Sequence, residues 1–164
     1  MTTSDKLTEQ QAAEELVRLA EEQGVSLSGP DGLLEKVKKI ATQERNKVIA
    51  QKAIREAFVD KDPESVARYF SDSYIQHNPA VPDGPDAMRG FIASIGNLTW
   101  EPHRVIAEGD YVMTHNRVGG LFDDTTKHIV ADIYRLEDGK IVEHWDVLQE
   151  EVPADKTASG RPMV

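Results

Sequence analysis

The feature that most constrains this fold is a two-residue break, Asp138-Gly139, between two long runs of alternating side chains. Asp-Gly between such runs is a strong hairpin signal, because both central residues of a type I′ turn occupy the left-handed backbone region. Strands are therefore expected over roughly 127–137 and 140–149. A two-residue turn pairs Glu137 with Lys140, and from there Tyr134 with Glu143 and Asp132 with Trp145. Side chains alternate faces along a strand, so Asp132, Tyr134, Glu143 and Trp145 share one face. His144 and Asp146 fall on the other and are read as structural or interfacial. A one-residue slip would reverse that partition. As read, it sets a lone carboxylate against an aromatic wall. Burial there disfavours the charged form of Asp132 and readies it to accept and return a proton. The plainer reading is an aspartate hydrogen-bonded to backbone or to a tyrosine hydroxyl, with no chemical task.

The rest of the chain supplies more strands and the helices to cover them. Strands are expected over roughly 99–107 and 110–118, joined at Gly109-Asp110, and over Ser73–Gln76, where His77-Asn78-Pro79 breaks the run. Helices are expected over Thr8–Gln23, with Thr8 as cap and Gly24 as stop, over Pro63–Phe70 and over Asp86–Ile95. A further helix starts near Asp31 and runs toward Asp60, either unbroken or broken near Thr42. Residues 26–32 and 79–85 read as loops. Helices followed by an antiparallel meander make an α+β fold. Residues 1–44 hold nine acidic and five basic side chains and no aromatics, so they read as a separate N-terminal helical extension. Residues 45–150 form the main domain and 151–164 a polar C-terminal tail. Both faces of the 127–149 hairpin carry apolar residues, so the second face is expected to be covered by another copy of the chain, as a homodimer.

Composition narrows the function classes. A formal net charge of −10 argues against nucleic acid and anionic membrane surfaces as partners. The absence of cysteine removes thiol nucleophiles and thiolate metal sites. There is no spanning apolar run and no signal-peptide pattern at Met1–Lys6, so a cytoplasmic location is expected. A Gly-x-Ser-x-Gly elbow, a phosphate loop and a dinucleotide fingerprint are all missing.

Tyr74-Ile75-Gln76-His77-Asn78-Pro79, followed by the Asp132–Asp146 hairpin, resembles the SnoaL-like polyketide cyclase family of the NTF2-like superfamily. The closest likeness is to members described as predicted aldol-condensation-catalysing enzymes, and it covers roughly Arg45–Val164. The resemblance implies an α+β cone: a curved antiparallel sheet wrapped round helices, with a deep pocket and often a dimer. It implies aldol-type proton transfer on a carbonyl-containing small molecule, with no metal and no organic cofactor. An aspartate at the position of Asp132 is the general acid/base in that family, and a histidine on the preceding strand, matched here by His115, assists it. His77 and Asn78 would line the pocket, Tyr134 and Glu143 would orient the substrate, and Trp145 would form a wall. Each has an ordinary structural alternative: a satisfied core or surface histidine, a strand-ending turn, a rim pair in water. A metal held by His115, His128 and Asp132 is conceivable from the ligand types, but their spacing does not demand it. Related cones also host isomerisation, epoxide hydrolysis and ligand binding without catalysis.

Overall fold

Asp138 and Gly139 both take positive φ, 48° and 77°, so the hairpin closes as the left-handed turn its sequence requires. The computed structural model describes residues 9–24, 33–123 and 125–164. Five strands form one open sheet: β1 (Phe70–Gln76), β2 (Thr99–Glu108), β3 (Tyr111–Gly119), β4 (Lys127–Glu137) and β5 (Lys140–Glu150). Their order is β1-β5-β4-β3-β2, with β1 parallel to β5 and every other pair antiparallel. The architecture is the expected α+β arrangement.

Helix α1 spans Glu9–Glu22, α2 Leu33–Ile54, α3 Glu64–Tyr69 and α4 Pro85–Ser94. Thr8, the loop over 26–32 and the helix start near Asp31 lie outside the described residues. Helix α2 runs unbroken past Thr42 and continues as a π-helical turn, Arg55–Val59. It therefore passes without interruption through the expected boundary at residue 44. Ala50, Ala53 and Ala57 are fully buried along one stripe, so small residues let this helix lie close against the sheet. Gly84 enters α4 at φ 91°, Pro85 takes the first turn, and Met88 and Ile92 face inward. Burying each contributes roughly 1.5–3 kcal/mol. Val112, Tyr134, Leu136 and Ile141 meet these helices in the main core, and Ile95, Leu98, Val118 and Val130 form a second cluster beside it.

The strand register departs from expectation at one residue. Glu137 pairs with Lys140 and Leu136 with Ile141, but Arg135 pairs with Glu143. Val142 is thus an extra residue, a β-bulge, and every later pair is displaced by one. Asp132 stands opposite Asp146, Tyr134 opposite His144, and Ile133 opposite Trp145. The pairing of Asp132 with Trp145 is therefore corrected, and with it the partition of faces on β5. Ile141 and Val142 are both buried. A regular strand sends neighbours to opposite faces, and the bulge resets that alternation directly after the turn.

Candidate functional site

With the register set by Val142, the inward face of β4 and β5 carries Val130, Asp132, Tyr134, His144, Asp146 and Leu148. They line a cavity of about 270 Å³ under the helices. From β1 and its following loop come Tyr74, Gln76 and Asn78. Phe58, Phe91, Trp100 and Leu121 make much of the apolar wall, and Phe122, itself 70% exposed, marks where the cavity meets solvent. A largely apolar cavity with a few convergent polar groups is the usual form of a small-molecule site.

The polar groups are ordered by a chain of hydrogen bonds whose directions can be read. The backbone N–H of Asn78 donates to Gln76 Oε1 at 2.9 Å, which fixes the orientation of that amide. The same oxygen lies 3.0 Å from His144 Nδ1, so Nδ1 carries a proton and donates it. Gln76 Nε2 donates to the Tyr74 hydroxyl at 2.9 Å. His144 Nε2 then faces Asp132 Oδ1 at 3.1 Å. Asp132 Oδ2 accepts from Asn116 Nδ2 at 2.6 Å and from the Thr114 hydroxyl at 3.1 Å, while Asn116 also donates to Thr114 at 2.7 Å. Two lone pairs facing each other across the Asp132–His144 contact would repel. That contact therefore holds one proton, shared between Oδ1 and Nε2. Tyr134 stacks on His144 at 4.8 Å between ring centroids. Asp146 Oδ2 accepts from Asn78 Nδ2 at 2.7 Å.

Burial raises the Tyr74 phenol well above its ordinary value of 10.0, and the charges of Asp146, Asp132 and Asp83 raise it further. Burial, then the Asp132 charge, does the same to Tyr134. Both hydroxyls therefore stay protonated as donors. Asp132, His144 and Asp146 offer three ligand atoms within 4.8 Å of one another, the closest approach to a metal-binding set among the described residues. The Asp132–His144 and Asp146–Asn78 hydrogen bonds already occupy much of that set.

Of the residues singled out from sequence, Asp132, Asn78 and Tyr134 line the cavity. The other four lie on the opposite face of the sheet. His77 stacks on Trp145 at 4.8 Å, and its Nε2 meets Glu143 at 2.9 Å. Glu143 also pairs with Arg135 at 2.8 Å, and these two partners hold its carboxyl below the usual range. His115 Nδ1 meets Arg104 at 3.0 Å, beside Met113 and Ala131. The tryptophan in the cavity wall is Trp100, opposite Val118 on β3. His144, Asp146 and Gln76 belong to the site and were missed. Period-2 spacing through Tyr74, Gln76 and Asn78 could have found Gln76. Adjacent Ile141-Val142 after a tight turn was the one sign of the bulge.

The profile of the SnoaL-like domain matches residues 50–144, more than half of the chain. The chain belongs to the SnoaL-like domain family. Among solved structures it is similar to a SnoaL-like polyketide cyclase candidate from Jannaschia sp. CCS1, with 16% identity over 65% of this chain and 87% of that one, TM-score 0.57. An LEH-like epoxide hydrolase of Mycobacterium tuberculosis shares 19% identity over 66% and 85%, TM-score 0.56. A ketosteroid isomerase candidate from Kribbella flavida shares 15% identity over 66% and 80%, TM-score 0.56. At these identities the likeness shows the common fold, an NTF2-like cone with an open sheet. No curated protein matches. Among the described residues, no helix is long and apolar enough to cross a membrane.

Proposed function

We propose that this SnoaL-like protein is an acid–base enzyme acting on a carbonyl-containing small molecule, with Asp132 as the proton-transferring group and His144, in place of His115, as its partner. The observation that carries the reading is the 3.1 Å contact between Asp132 Oδ1 and His144 Nε2 at the polar side of an apolar cavity. In the ion-pair form, the Asp132 carboxylate takes a proton from the carbon beside the substrate carbonyl. The electron pair of that C–H bond passes into an enolate. The Tyr74 hydroxyl, whose oxygen already accepts from Gln76, has its proton free to donate to the enolate oxygen. The enolate carbon then attacks a second carbonyl, as in an aldol closure, or is reprotonated at another carbon, as in an isomerisation. Asp132 returns the proton in either case.

Epoxide hydrolysis is the second reading. Asp132 and Asp146 sit opposite each other on β4 and β5, so one carboxylate could activate water while the shared proton goes to the epoxide oxygen. Its support is the likeness to the epoxide hydrolase fold. The cavity could also serve binding alone.

Replacing Asp132 by Asn decides between catalysis and binding. The variant keeps the shape and the Thr114 contact but cannot exchange the proton. Turnover of a confirmed substrate is expected to fall by about 10²–10⁴-fold, the usual contribution of a positioned acid–base group, with unchanged far-UV circular dichroism. Full turnover in this variant would overturn the reading.

The assembly is proposed to be a homodimer through the outer sheet face. Ile106, Met113 and Val147 are 61%, 43% and 70% exposed there, an apolar surface on strands that already pair edge to edge. A monomeric mass by analytical ultracentrifugation at micromolar concentration would refute it.

A further inference from the structure

The hydrogen bonds in the cavity leave one carboxylate oxygen with no partner among the described residues. Both oxygens of Asp132 already accept, Oδ1 from His144 and Oδ2 from Thr114 and Asn116, which leaves one lone pair on Oδ1 for the proton it transfers. Asp146 differs. Its Oδ2 takes the Asn78 amide, and its other oxygen has no partner among the described residues. Asp146 is only half-buried and lines the cavity, so this oxygen is open to what enters. The surrounding charge is one-sided. The lining holds two aspartates and a histidine, and among the described residues that line it there is no lysine or arginine. The shared proton neutralises Asp132 and His144 as a pair. One negative charge, on Asp146, is left without a counter-ion in the wall.

A carboxylate facing apolar surroundings attracts donors and cations more strongly than one in bulk water, and repels anions for the same reason. We propose that Asp146 selects the substrate. It receives a hydrogen-bond donor, a protonated amine above all, next to the carbonyl that Asp132 and His144 act on. The substrate class is then an apolar amino- or hydroxy-carbonyl compound, and carboxylates and phosphates are excluded. This rests on the proposed function for where the carbonyl sits, but the choice of head group does not depend on catalysis. The raised Tyr74 phenol agrees with it, since the charge of Asp146 is the largest contribution after burial.

The test uses three naphthalene probes of one shape: 2-naphthylmethylamine, 2-naphthylmethanol and 2-naphthoic acid. Binding to the full chain at pH 7 is measured by isothermal titration calorimetry. The amine is expected to bind at least about tenfold more tightly than the acid, with the alcohol between them; tenfold corresponds to about 1.4 kcal/mol. In Asp146→Asn, which still accepts from Asn78, the amine should fall to the affinity of the alcohol. The proposal is overturned if the acid binds as well as the amine, if the amine keeps its advantage in Asp146→Asn, or if none of the three binds at millimolar concentration. The wild-type comparison does not need the variant to fold. The probes carry no carbonyl, so failure here would leave the Asp132 reading to its own turnover test.

Discussion

The two faces of the sheet use the same residue types to opposite ends. Each has a carboxylate against a histidine and a histidine against an aromatic ring. On the inner face these are Asp132–His144 at 3.1 Å and His144–Tyr134 at 4.8 Å. On the outer face they are Glu143–His77 at 2.9 Å and His77–Trp145 at 4.8 Å. The difference is solvent. The Asp132 and His144 side chains are 13% and 11% exposed, whereas His77 is 42% exposed and Glu143 has Arg135 as a second partner. The outer pair is screened and replaceable, as exposed ion pairs are. The inner pair lies in a low-dielectric cavity where one shared proton matters. The surroundings of such a constellation are therefore set by the face it occupies, and Val142 decides the face.

That dependence can be tested directly. Deleting Val142 makes β5 regular without moving its later residues: Glu143 then follows Ile141 and stays opposite Arg135, and His144 and Asp146 stay opposite Tyr134 and Asp132. The inner face is therefore expected to survive, at the loss of one buried valine side chain, roughly 1.5–3 kcal/mol by urea unfolding. Turnover should persist in the folded variant. A folded deletion variant without turnover would mean that the bulge does more than carry one extra residue past Leu136.

Most of the architecture was legible for a physical reason. Strand ends follow from local chemistry, and the expected 127–137 and 140–149 agree closely with Lys127–Glu137 and Lys140–Glu150. The long helix was legible in extent, but whether it breaks at Thr42 depends on packing that no local pattern encodes. The site was half legible. Asp132 was found because its own strand has no irregularity within the hairpin. His144 and Asp146 were lost because faces were propagated through a bulge, and one extra residue reverses every assignment beyond it. Trp100 was passed over for Trp145 by the same error. His115 illustrates a different limit: a family match assigns a histidine to a strand, but Met113, His115 and Arg117 alternate outward from Val112, Thr114 and Asn116, which are buried.

A smaller perturbation sharpens the inner face. Gln76 lines the cavity without a hydrogen bond to Asp132, and its amide oxygen, 3.0 Å from His144 Nδ1, sets where the His144 proton sits. In Gln76→Ala, Nδ1 loses its acceptor, and nitrogen-15 NMR of the imidazole should show the Nδ1-protonated form giving way to a mixture. Turnover should drop between about tenfold and a hundredfold, the scale seen when a group that orients a catalytic partner is removed. Gln76→Glu keeps an acceptor oxygen and should restore the Nδ1–H signal. An unchanged imidazole spectrum in Gln76→Ala would show that the tautomer is set elsewhere. The matching change outside, His77→Ala, should leave that spectrum as it is.

The gentlest probe of the inner face is alkaline pH. The phenols of Tyr74 and Tyr134 are raised above the ordinary 10.0 by burial and by nearby aspartates. A folded-state value above the unfolded one means that folding favours the protonated phenol. The stability they contribute is complete below pH 10 and declines as pH rises past it, because the unfolded chain releases those protons first. Tyrosinate absorbance near 295 nm should therefore rise in two stages, with Tyr74 and Tyr134 ionising only as circular dichroism reports unfolding. Tyr74→Phe removes one of these protons and should make the decline of stability with pH shallower. If both phenols ionise reversibly in the folded protein near pH 10, the inner face is wetter than its packing implies, and the shared Asp132–His144 proton would lose the low-dielectric setting that gives it force.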